Sequence, residues 1–105
     1  MARGATVTNI SKGAGLADFD ERKVEIRGAE FTIKELSAEE YDTALKQATK
    51  EDGDIDMVLL LRLMTIKSLQ EPKLSAEDIS KMPYKVSRRL SSAVNELHFG
   101  DDDED

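Results

Sequence analysis

The amino-acid sequence predicts a mainly helical α+β domain, in which an N-terminal β-hairpin packs on a small bundle of about four helices. Two short runs of alternating apolar residues flank a glycine, which is typical of a hairpin. Helix-start signals then precede apolar residues at helical spacing. A chain of 105 residues is long enough for one domain and too short for two of ordinary size. We therefore divide it into a flexible N-terminal arm (1–21), a single hairpin-plus-helices domain (22–99) and an acidic C-terminal tail (100–105).

The N-terminal arm shows no hydrophobic period of 2 or 3.6 between Met1 and Asp20. Gly4, Gly13 and Gly15 interrupt it. We expect a mobile terminus here, and a segment that orders on a partner is the alternative.

The hairpin is predicted over Lys23 to Lys34, with a turn at Gly28-Ala29. Because side chains alternate between the two faces of a strand, four apolar residues share one face. They are Val24, Ile26, Phe31 and Ile33. An isolated hairpin is marginally stable in water, so this face is expected to pack on the helices.

The first helix has a clear start signal. Ser37 is a predicted N-cap, and Glu40 three residues later completes a capping box. Its apolar residues then follow at helical spacing, up to the break at 51–53.

Three further helices are predicted. The second runs from near Asp54 to Leu69 or Gln70 and is stopped by Pro72. The third repeats the start signal at 75–78 and ends at 81–82. The fourth opens near Pro83, which suits a first helical turn, and ends at 100.

The second helix carries apolar residues on two sides, because ten of the fifteen residues from Ile55 to Leu69 are apolar. We assign one side to the domain core: Ile55, Val58, Leu59, Leu63, Ile66 and Leu69. The other side gives the candidate partner-binding residues: Met57, Leu60, Leu61 and Met64. Two interpretations stay open. The helix is either buried on all sides, or its Met-bearing side meets a second subunit or a partner helix.

Catalytic and metal chemistry finds little support in the sequence. The chain has no Cys, and His98 is its single His, which excludes Cys-based zinc sites, multi-His sites and Cys–His catalysis. A net charge of −7 argues against nucleic-acid binding. The most apolar stretch is too short and too charged to span a bilayer. We therefore expect no enzyme activity, no cofactor and no membrane or nucleic-acid partner.

The residues at 52–63 do not fit a calcium-binding loop. Asp52, Asp54 and Asp56 have the spacing of the first three ligands. However, Met57 then stands where the loop requires glycine, and Leu63 stands where the bidentate glutamate belongs. An acidic linker that ends in a helix cap explains these residues better.

The order of these features resembles the tail assembly chaperones of long-tailed bacteriophages. The resemblance extends from Val24 to Phe99. It rests on the runs at 24–28, 31–40 and 74–79, the Met82-Pro83 pair, and Leu90, Val94 and Leu97.

This resemblance implies a non-enzymatic assembly factor in the host cytoplasm. Such a factor binds the tape measure protein, keeps it soluble and helps recruit the tail tube protein. The chain would be the short form of the chaperone, and self-association is expected. A small acidic regulatory or inhibitor module and a structural tail or connector protein are the alternative functions.

Overall fold

The computed structural model describes residues 6–11 and 18–100. In chain order the elements are strands β1 (Thr6–Ser11), β2 (Glu21–Ile26) and β3 (Ala29–Lys34), helices α1 (Ala38–Ala48) and α2 (Met57–Ser68), strand β4 (Leu69–Glu71), and helices α3 (Ala76–Ser80) and α4 (Tyr84–Phe99). The strands form one antiparallel sheet in the order β1-β2-β3-β4. The predicted α+β, mainly α, class is therefore confirmed.

The turn of the β2–β3 hairpin lies at Arg27-Gly28. Both residues have a positive φ, 53° and 86° respectively, which is what a two-residue turn of type I′ requires. The sequence analysis placed the turn one residue too late, at Gly28-Ala29. In the structure Ala29 already belongs to β3, where it lies opposite Ile26.

The core lies between one face of the sheet and the helices α1, α2 and α4. The predicted apolar face of the hairpin is confirmed, since its four residues are at most 5% exposed. The helical part of the core consists of Ala44, Ala48, Leu60, Met64, Leu90, Ala93, Val94 and Leu97. The alternate residues of β2, such as Lys23 and Glu25, are exposed on the other face of the sheet. This alternation is typical of an antiparallel sheet with one face in water.

Strand β1 corrects the expectation of an arm without regular structure. Val7 lies opposite Val24 and Thr8 lies opposite Lys23, in antiparallel register. A bulge between Asn9 and Ser11 shifts this register, so the local sequence has no clean alternation. Strand β1 therefore forms because it pairs with β2, and its own sequence does not reveal it. The other arm residues, 1–5 and 12–17, lie outside the described part of the chain, as does the tail from 101 to 105.

Strand β4 corrects the predicted end of the second helix. The helix ends at Ser68, and Leu69, which the sequence placed in its last turn, is fully buried opposite Ile33 of β3. The short strand completes the sheet on the side away from β1. Among the described strands, β1 and β4 are therefore the edges of the sheet.

Both predicted capping boxes are confirmed. Ser37 Oγ accepts a hydrogen bond from the Glu40 N–H at 3.1 Å, and Glu40 Oε1 accepts one from the Ser37 N–H at 2.9 Å. Ser75 and Asp78 make the same pair of bonds at 3.1 and 3.0 Å. Helix α4 follows Pro83 and ends at Gly100, as predicted. Within the described chain, none of the helices combines the length and apolar character that crossing a membrane requires.

Candidate functional site: an exposed apolar surface on α2

Helix α2 buries the side that the sequence analysis assigned to a partner. Leu60 and Met64 are only 3% and 1% exposed and belong to the core. Leu61 is half-buried, and of the four candidate residues only Met57 is well exposed, at 64%. The prediction that these four form one accessible stripe is therefore wrong for Leu60 and Met64.

Two small polar side chains explain how α2 is rotated. Ser68 Oγ donates a hydrogen bond to the Lys34 carbonyl at 2.6 Å, which ties the end of α2 to β3. Thr65 Oγ1 donates to the Leu61 carbonyl at 2.8 Å and lies 3.3 Å from Ser91 Oγ of α4. Both Thr65 and Ser68 are fully buried. Because small side chains let the helix approach β3 and α4 closely, the side that carries them faces inward.

The start of α2 and the residue before its N-cap leave a group of large apolar residues in water. Ile55, Met57, Val58 and Leu59 are 43%, 64%, 74% and 38% exposed, and we call these four residues the α2 patch. Single exposed apolar residues are normal on a protein surface, whereas several exposed apolar residues close together in the chain form a candidate contact surface. The α2 patch is therefore the candidate functional site.

The patch continues along α2 as a less exposed ridge. Arg62 and Ile66 follow Val58 at four-residue spacing, and Leu63 follows Leu59 in the same way, so they extend the same side of the helix. All three are half-buried, and Leu63 packs against the core. The apolar side chains are thus most exposed at the start of α2.

Backbone hydrogen bonds hold the patch in a fixed position. Asp56 caps α2, with Oδ1 accepting from the Leu59 N–H at 3.1 Å, and its own N–H donates to the Ala48 carbonyl at 2.8 Å. Thr49 and Ile55 form an antiparallel bridge between the end of α1 and the start of α2. The loop therefore ties the two helices together, and the patch is displayed on an ordered support.

An acidic loop borders the patch. Glu51, Asp52 and Asp54 are exposed beside Ile55. Asp52 Oδ1 accepts from the Asp54 N–H at 3.0 Å, and Gly53 adopts a φ of 93° in the turn. The acidic residues thus shape the loop and place negative charge next to the apolar surface. Among the residues that the structure describes, no group of three or more His, Asp or Glu side chains could hold a metal ion.

Two depressions lie elsewhere on the surface. One, of about 380 Å³, is lined by Lys34, Lys67, Lys73, Glu35, Glu40 and Phe19 among others, and we call it the lysine pocket. The second, of about 270 Å³, lies along α4 and is lined by Lys85, Arg88, Arg89 and Ser92. Residues of the α2 patch line neither of them.

Sequence reasoning missed Ile55, Val58 and Leu59 as exposed residues because it counted apolar residues on each side of α2. The sequence analysis gave no packing role to Thr65 and Ser68, which are fully buried in the structure. These small side chains were the signal in the sequence that this side of α2 could pack closely against other elements.

Comparison with protein-family models, with curated proteins and with solved structures finds no match to this chain.

Proposed function

We propose that the chain is a non-enzymatic assembly chaperone of the phage tail type, which acts in the host cytoplasm. It binds apolar helical segments of the tape measure protein, keeps that protein soluble and helps recruit the tail tube protein. The observation that carries the proposal is the α2 patch, which offers exposed apolar helix surface on an ordered support. The resemblance of residues 24–99 to tail assembly chaperones supports the same function.

The chemistry of the patch fits an apolar helical client. Covering apolar surface is favourable by roughly 25 cal/mol per Å², and an exposed methionine adapts to partners of varied shape. The net charge of −7 keeps a chain with such a surface soluble. The acidic loop at 51–54 favours a client that carries Lys or Arg beside its apolar stripe, since opposite charges steer association.

Coexpression with the tape measure protein tests the proposal. The wild-type chain should raise the soluble yield of that client, and a Met57→Glu/Val58→Glu variant should not. A Gln47→Glu/Asn95→Glu variant is the matched control, because it adds the same charge at two exposed positions that are not part of the patch. Circular dichroism and chemical denaturation should first show that both variants are folded.

Two outcomes would contradict the proposal in different ways. If the folded patch variant solubilises the client as well as wild type does, the contact surface lies elsewhere. If wild type has no effect on the client, the chaperone function itself is wrong.

Self-association through the same patch is part of the proposal. Sedimentation velocity should show a concentration-dependent oligomer for wild type and for the Gln47→Glu/Asn95→Glu control. The Met57→Glu/Val58→Glu variant should sediment as a monomer. A wild-type chain that stays monomeric at high concentration would leave the client as the sole partner of the patch.

The alternative functions predict different results. An acidic regulatory or inhibitor module would depend on its carboxylates, so reversing the charge of the tail would abolish its activity. A structural connector would be found in purified particles, whereas an assembly chaperone would be absent from them. An upstream tail tube gene and a downstream tape measure gene would favour the chaperone.

A further inference from the structure

The lysine pocket is a concave site whose cations have no acidic partner among the described residues. It lies where the end of β3, the start of α1 and the end of α2 meet. Within the described residues, the ammonium groups of Lys34, Lys67 and Lys73 form no ion pair with a carboxylate. The Lys34 ammonium lies 5.1 Å from the centre of the Phe19 ring, which gives it a cation–π contact.

The two carboxylates that line the lysine pocket are directed to backbone groups. Glu35 Oε1 accepts a hydrogen bond from the Asp20 N–H at 3.0 Å, and Glu40 Oε1 accepts one from the Ser37 N–H at 2.9 Å. The charged residues of the pocket therefore sum to three positive and two negative charges. The pocket thus keeps a net charge of +1, and its lysines form no ion pair within the described residues, which favours an anionic ligand.

The end of α4 is held beside this pocket. The Leu36 N–H donates to His98 Nε2 at 2.9 Å, and Leu36 is itself a lining residue of the pocket. Gly100, two residues after His98, is followed by the run Asp101–Asp105, which carries five of the acidic residues of the chain. Five extended residues reach up to about 17 Å, and the run begins three residues after His98, which is bonded to the lining residue Leu36.

We propose that the lysine pocket binds the chain's own acidic C-terminal run, Asp101–Asp105. Charge complementarity between the lysines and the run supplies the attraction. Covalent attachment through α4 makes the binding intramolecular, which raises the effective concentration of the run to the millimolar range for a short linker. The basic depression on α4, lined by Lys85, Arg88 and Arg89, is the competing site for the same run. Arg88 and Arg89 lie 11 to 12 residues before Gly100, or about 17 Å along the helix, which is the full extended length of the run, so only its last residue could reach them.

A spin label at the C-terminus tests this proposal in the full-length chain. Because the sequence contains no cysteine, Asp105→Cys provides a unique attachment site and leaves four acidic residues in place. In a dilute sample, the label should broaden the amide signals of Lys34, Lys67, Gln70 and Lys73 far more than those of Lys85 and Arg88. Added salt at 0.5 M should reduce this broadening, since it screens exposed charges.

Matched charge variants and a mixing experiment decide the outcome. Lys67→Gln/Lys73→Gln should remove the localised broadening, whereas Lys85→Gln/Arg88→Gln removes the same charge from α4 and should leave it unchanged. Broadening centred on α4, or no localised broadening at all, would overturn the proposal. So would transfer of the broadening to isotope-labelled chains without a spin label, because the run would then bind a second copy.

Discussion

The backbone N–H of Leu36 donates a hydrogen bond to Nε2 of His98 across 2.9 Å, although the two residues are 62 positions apart in the sequence. The other ring nitrogen, Nδ1, lies 2.8 Å from the Val94 carbonyl. Since Nε2 accepts, Nδ1 carries the proton and donates to that carbonyl. The single histidine therefore joins the end of α4 to the residue before the N-cap of α1. The sequence analysis gave it no such role.

Replacing this histidine should destabilise the domain. We expect His98→Ala to lower the free energy of unfolding by about 1–2 kcal/mol, because the Leu36 N–H loses its partner in a half-buried position. Asn95→Ala, at an exposed position on the same helix, should change it by less than about 0.5 kcal/mol. Urea denaturation measures both values. Nitrogen chemical shifts of the ring should show the Nδ1–H tautomer, and the Nε2–H tautomer would contradict the assignment.

The hairpin turn should be sensitive to the conformation of its two residues. Gly28 has a φ of 86°, and a Cβ added there would meet no atom within 4 Å. Gly28→Ala should therefore cost about 1–2 kcal/mol through backbone strain alone. Arg27→Asn should instead raise stability by a few tenths of a kcal/mol, because asparagine tolerates positive φ better than arginine does. Thermal or urea unfolding would show opposite signs for the two variants, and equal signs would argue against this turn.

The rotation of α2 can be checked by shortening apolar side chains on its two sides. Met64→Ala should cost about 2–5 kcal/mol, since it opens a cavity in the core. Val58→Ala should change stability by less than about 0.5 kcal/mol, because the side chain is 74% exposed. If the two variants showed the reverse order, α2 would be rotated as the sequence analysis expected.

The buried hydroxyl at the end of α2 should contribute to stability through one defined hydrogen bond. Ser68→Ala removes the bond to the Lys34 carbonyl and should cost about 1 kcal/mol. Ser92→Ala removes the same atom from an exposed position of α4 and serves as the control. Equal denaturation midpoints for the two variants would show that this bond does not hold α2 against β3.

The sequence predicted those parts of the fold that depend on interactions between residues close together in the chain. The capping boxes at Ser37 and Ser75 and the shared face of β2 and β3 depend on residues a few positions apart, so short patterns reveal them. Strands β1 and β4 depend on distant partners. The run at 6–11 contains a bulge, which interrupts the alternation of its residues. The three residues of β4 continue the apolar pattern of α2, but they pair with β3 instead.

The candidate site was only partly predictable for a related reason. The sequence analysis chose Ile55 to Leu69 as the candidate segment, but a helix that is apolar on two sides has no preferred inward face of its own. The inward face of α2 is decided by its packing against β3, α1 and α4. These are tertiary contacts, so the pattern within the helix does not reveal them. Met57 is the one well-exposed residue that the prediction and the α2 patch share.

The two edges of the sheet differ in what they allow between copies of the chain. Strand β1 offers six uncharged residues with Val7 and Ile10 exposed, whereas β4 has three residues and is followed by Pro72, which has no N–H to donate. Among the strands that the structure describes, only the β1 edge can therefore accept another strand over its whole length. Association through the sheet alone would be isologous and would close at two copies.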